Sequence, residues 1–102
     1  MKKARVFVDG LFAGELLELE KGRLYRFVYA ENYTGGAVSL TMPTTKRIYE
    51  YDRFPPFFEG VLPEGFMLKW LLRLAKIDRD DLMTQLLQVG GDLVGNVTVE
   101  AY

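Results

Sequence analysis

The chain has 102 residues, with 13 basic and 14 acidic side chains for a formal net charge of -1, and it contains neither cysteine nor histidine. Those two absences exclude disulfides, thiolate nucleophiles, cysteine-based metal sites and every mechanism built on an imidazole base. The length predicts one domain over residues 1–102, and an apolar content of 49% excludes a disordered tail. Basic residues are interleaved with acids throughout, so no field draws the chain toward nucleic acid or an anionic membrane. No apolar run reaches the roughly 18–20 residues of a bilayer-spanning helix. Met1-Lys2-Lys3-Ala4-Arg5 leads into Val6-Phe7-Val8-Asp9-Gly10, where a leader peptide would run apolar, so a cytoplasmic protein is expected.

The first half reads as β structure. Ala4 to Val8 is an apolar-rich strand that stops at Asp9-Gly10, and Leu11 to Leu19 follows it, the signature of a hairpin with Gly14 at a bulge or bend. Lys21-Gly22 makes the next turn. Leu24 to Tyr29 is a third strand rich in aromatic and β-branched residues. After the connection Ala30 to Gly36, the alternation in Ala37 to Met42 predicts a fourth strand ended by Pro43. Thr44 to Asp52 is compatible with a short edge strand.

The period changes in the second half. Pro55-Pro56 and Pro63 bracket an apolar connector, Phe57 to Leu62. Glu64 to Lys76 is helical in pattern. Asp78 to Val89 predicts a second helix, with Asp78 as N-cap and Gly90 just past its end. Leu93 to Val99 closes the chain as a strand. The expected fold class is α+β: a small antiparallel β-sheet, curled into a barrel, with two helices inserted before the final strand.

Little in this pattern offers catalytic chemistry. Glu59 and Glu64 flank Gly60 to Pro63 and suggest a carboxylate pair, but Glu64 in a first helical turn is explained by the helix dipole and by capping. Gly90-Gly91-Asp92-Leu93-Val94-Gly95 has the glycines of a phosphate loop in the wrong order, since they follow a helix and lead into a strand. They read as structural punctuation.

The first helix is the informative segment. At roughly 100° per residue from Phe66, Lys69, Arg73 and Lys76 form a narrow polar strip near 300°, 340° and 280°. Met67, Leu68, Leu71, Leu72 and Ala75 cover about 100–240°, already a full core-facing stripe. Leu74, Trp70 and Phe66 extend the apolar surface through about 80°, 40° and 0°. Either the domain buries this helix on two sides, or the Phe66–Trp70 ridge packs against another molecule. A Trp one turn from an Arg suits an interface anchor.

Four stretches carry a family resemblance. Phe57-Phe58-Glu59-Gly60-Val61-Leu62-Pro63-Glu64-Gly65 closely resembles the FFEGLLPEG signature of the N-terminal subdomain of HipA-type kinase toxins. Val6 to Leu16 is similar to that subdomain's opening hairpin, Ala37 to Pro43 to its strand ending in Pro, and Leu86 to Gly95 to its closing turn. The resemblance covers nearly the whole chain in the right order. One departure is Asn96, where the family usually has Ala.

In full-length HipA-type toxins a Ser/Thr kinase with a catalytic Asp and metal-binding residues follows this subdomain. Ending at Tyr102, the sequence is expected to lack it and to have no phosphotransfer activity. The resemblance therefore implies the free-standing antitoxin of tripartite HipBST systems, a small HipS-type protein that neutralises a HipT-like kinase by protein–protein contact. A HipB-like DNA-binding protein would complete a ternary complex. No catalytic residue, metal or cofactor is expected in this chain. The partner-binding residues expected are Phe66, Trp70, Arg73, Glu64 and Leu74. Two alternatives stay open: an excised N-terminal regulatory domain of a longer HipA-type kinase, and a small β-barrel that binds a ligand or nucleic acid.

Overall fold

In the computed structural model the described residues form five strands, β1 (Lys2–Val8), β2 (Leu11–Glu20), β3 (Leu24–Tyr29), β4 (Ile48–Tyr51) and β5 (Val97–Ala101). Among the described residues, three helices, α1 (Pro56–Gly60), α2 (Gly65–Ala75) and α3 (Leu82–Val89), and a 3-10 turn at Gly90–Asp92 lie between β4 and β5. The structure describes residues 1–93 and 95–102; Val94 and the side chain of Phe66 lie outside the described residues. All strand pairs are antiparallel, in the order β4-β3-β2-β1-β5.

The opening hairpin forms as the sequence predicts. Asp9 (φ 51°) and Gly10 (φ 81°) are both left-handed, the pair of conformations that lets a two-residue turn follow the right-handed twist of its strands. Gly14 sits beside the irregularity in the β1–β2 register, where Val6 pairs with Gly14 and Phe7 with Phe12. A Cβ there would stand 2.2 Å from the Val28 carbonyl oxygen, so only glycine admits this approach of β3.

Alternation decides which sheet face is covered. Ala4, Val6, Val8, Leu16, Phe27, Val97 and Val99 are buried on one face, under Phe58 of α1 and Met83 and Leu86 of α3. Each of these Val, Leu, Phe and Met side chains stabilises the fold by about 1.5–3 kcal/mol. The opposite face carries cross-strand ion pairs, Arg26–Glu50 at 2.5 Å and Arg5–Glu100 at 3.6 Å.

Four expectations are corrected. The sheet is open, with β4 and β5 as its edges, rather than curled into a barrel. A third helix is present, because Pro55-Pro56 starts the one-turn α1 within the connector. Residues 37–42 form a pinned loop instead of a strand. The buried Tyr29 hydroxyl accepts from the Val38 N–H (2.8 Å) and donates to the Met42 carbonyl (2.5 Å), so those main-chain groups are paired without a neighbouring strand. Val38 and Met42 fill the core while Leu40 between them is fully exposed. The ambiguous segment after it supplies the fourth strand, β4.

The last correction concerns α3, which starts at Leu82 with Asp81 as its cap rather than Asp78. Asp81 accepts from the Thr84 N–H at 3.1 Å and pairs with the Lys2 ammonium at 3.0 Å, a contact from β1 that no local pattern reveals. The Asp78 carbonyl is instead held by the Gln85 amide at 3.1 Å. Burial alone would raise the Asp81 pKa, but the Thr84 hydrogen bonds and the Lys2 ammonium outweigh it and hold the carboxyl below its usual range.

Candidate partner-binding surface

The connector that resembles the family signature positions this surface. Phe58 of α1 is fully buried, with its ring 6.2 Å from that of Phe27, and it anchors the stretch that runs through Pro63 into α2. Glu64 is the N-cap residue of α2 in an extended conformation, but its side chain makes no capping hydrogen bond. The capping role expected of that carboxylate is therefore not realised. Lys76, left-handed at φ 54°, ends the helix.

None of the described side chains of α2 is fully buried. Leu68, Leu71, Leu72 and Ala75 are half-buried. Trp70 is 53% exposed, Leu74 64% and Met67 62%. Met67 was expected in the core-facing stripe; it lies next to Leu74 on the helix wheel and shares that exposed arc. The stripe facing the domain is accordingly narrower than the wheel alone suggests. The Phe66 side chain lies outside the described residues. Arg73 is exposed.

Beside the ridge, a groove of about 610 Å³ runs between α2 and the α3 end of the chain. Its apolar walls are Met67, Leu71 and Leu74 on one side and Val89 and Leu93 on the other, with Val61 from the connector. Glu64 and Trp70 also line it, so three of the five expected partner-binding residues, Glu64, Trp70 and Leu74, meet at one place. Arg73 is not among the lining residues. Asp92 and Glu64 are the charged groups of the lining. Neither makes an ion pair among the described residues.

Sequence reasoning missed the second wall. Gln88, Val89, Asp92 and Leu93 were read as helix end and closing turn, and the apolar pair flanking Gly90-Gly91 was the available signal. Gly90 is required for a reason visible only here. A Cβ on Gly90 would lie 2.2 Å from the Val99 carbonyl oxygen of β5, so the 3-10 turn can press against the sheet. Gly90 is right-handed (φ -54°) and does not use a left-handed cap. The Asn96 carbonyl accepts from the Asp9 N–H at 2.8 Å and ties the residue before β5 to the first hairpin.

Glu59 is exposed on α1, and no hydrogen bond or ion pair joins it to Glu64 among the described residues. Among the described residues no cluster of three acidic, His or Cys side chains could hold a metal, and no helix is long and apolar enough to cross a membrane.

An open antiparallel sheet with helices between its fourth and fifth strands, a pinned loop after its third strand and an exposed helical ridge define a small α+β domain. The chain belongs to the HipA N-terminal domain family, whose pattern matches residues 4–100. It is similar to a solved N-terminal domain of HipA toxin, with a TM-score of 0.76 and 26% identity, over 100% of this chain and 93% of that one. It also resembles an uncharacterized protein of Haemophilus influenzae, with 29% identity over 100 residues that make up 98% of this chain and 92% of that protein.

Proposed function

We propose that this chain is an antitoxin-like inhibitor that binds and neutralises a HipA-family Ser/Thr kinase in the cytoplasm by protein–protein contact, without catalysis or cofactor. The observation that carries the reading is the ridge on α2, where Trp70, Leu74 and Met67 stay exposed in a member of the HipA N-terminal domain family. A domain of this family suits docking on the kinase portion of a HipA-type protein. Supplied as a separate chain, it would cover the same kinase surface. The Haemophilus influenzae relative is itself a protein of this one-domain size, which supports a free-standing role. Glu64, Phe66, Trp70, Arg73 and Leu74 are the proposed contact residues, and a HipB-like DNA-binding protein is proposed as a third member of the complex.

The test is co-expression with a HipA-family kinase that lacks this domain. The expected outcome is a co-purifying complex, reduced kinase autophosphorylation and restored growth. Purification of the kinase free of this chain, with undiminished toxicity, would refute the proposal. The solved N-terminal domain of HipA toxin favours a second reading, in which the same ridge docks within one longer polypeptide. The genomic reading frame around the chain distinguishes the two.

A further inference from the structure

We infer that the groove between α2 and α3 takes an amphipathic helix of the partner kinase, with apolar anchors one and two turns apart and a Lys or Arg that meets Glu64 and Asp92. The inference rests on the kinase-binding reading and names the part of the partner that this site recognises.

The walls dictate the form of the occupant. Met67, Leu71 and Leu74 of α2 and Val89 at the end of α3 present side chains, while the helical backbones behind them satisfy their own hydrogen bonds. An extended segment laid there would have its N–H and C=O groups taken out of water with nothing to pair them. A helix pairs its own backbone groups and brings only side chains to the walls. The 11 residues of α2 give a wall about 16 Å long, enough for three turns of a partner helix.

The charges dictate its chemistry. Glu64 and Asp92 are the charged lining residues. Glu64 stands at the N-cap of α2 without capping it, and Asp92 makes no ion pair among the described residues. Burying either beneath a purely apolar partner would strand a carboxylate, which costs more than an apolar contact returns. A cationic side chain on the incoming helix removes that cost and sets its register.

The experiment uses the full chain and a HipA-family kinase lacking this domain. Titration calorimetry compares wild type, Trp70→Ala and the double variant Glu64→Gln/Asp92→Asn at low and high salt. The double variant is expected to bind roughly tenfold more weakly at low salt and to lose most of the salt dependence. In parallel, Gln88→Cys, a unique thiol in a chain without cysteine, carries a short photo-crosslinker into the groove. Mass spectrometry is expected to recover a helical kinase peptide with a Lys or Arg among apolar residues. If wild type binds and Trp70→Ala weakens it, but the double variant is unchanged or the crosslink falls on a loop, the groove assignment is overturned while the kinase-binding reading stands. If wild type does not bind the kinase, both fall. Saturation of the groove by a lysate metabolite or by a second copy of the chain, seen in the crosslinked mass, also overturns it.

Discussion

Truncating Trp70 to Ala separates binding from folding, because the side chain is divided between the two. A Trp side chain offers about 250 Å², and Trp70 leaves 53% of its surface exposed in the free chain, so about 130 Å² is available to a partner. At about 25 cal/mol per Å² that area is worth about 3 kcal/mol of association, a loss of about two orders of magnitude in Kd. The covered remainder is about 120 Å², of which an unfolded chain already covers up to about 40%, so folding loses about 2 kcal/mol. Leu86→Ala is the contrasting case: fully buried under the sheet, it should cost about 2–5 kcal/mol of stability. Calorimetry against the kinase gives the first quantity and urea unfolding the second. A Trp70→Ala protein that binds within threefold of wild type while remaining folded would refute the ridge assignment. So would a stability loss as large as that of Leu86→Ala.

Further outcomes follow from the fold. Tyr29→Phe keeps the ring but leaves the buried Val38 N–H and Met42 carbonyl unpaired; a loss of about 2–4 kcal/mol is expected on urea unfolding, with faster amide exchange at Val38. Gly90→Ala should destabilise the chain severely, read as a lower Tm, because its Cβ would meet the backbone of β5 at 2.2 Å. The folded-state pKa of Asp81 lies below its ordinary value of 3.8, so its contribution is present above that value and lost as pH falls through the folded pKa. Denaturant midpoints should drop between about pH 5 and pH 2, and the drop should be smaller in Lys2→Met. Tyr25 runs the other way. Its pKa is pushed up to about 12, first by burial and then by the hydrogen bond to Glu18, so that contribution is lost as pH rises from about 10 through 12.

Local chemistry carried much of this protein. The Asp9-Gly10 turn, the first three strands and the span of α2 follow from turn residues and periodicity that act over a few positions. The excess apolar arc around Trp70 was visible on the helical wheel. Neighbours distant in sequence decided the rest. Residues 37–42 alternate like a strand, yet one Tyr29 hydroxyl pairs their backbone and turns Leu40 outward. Asp78 and Asp81 are both acceptable caps locally, and the Lys2 ammonium, 79 residues away, joins the one that begins α3. The groove could not be read from sequence either, because its walls come from segments separated by the loop and N-cap between α2 and α3. Periodicity identifies which residues share a face of one element; only packing decides which two faces meet and which carboxylates stand between them.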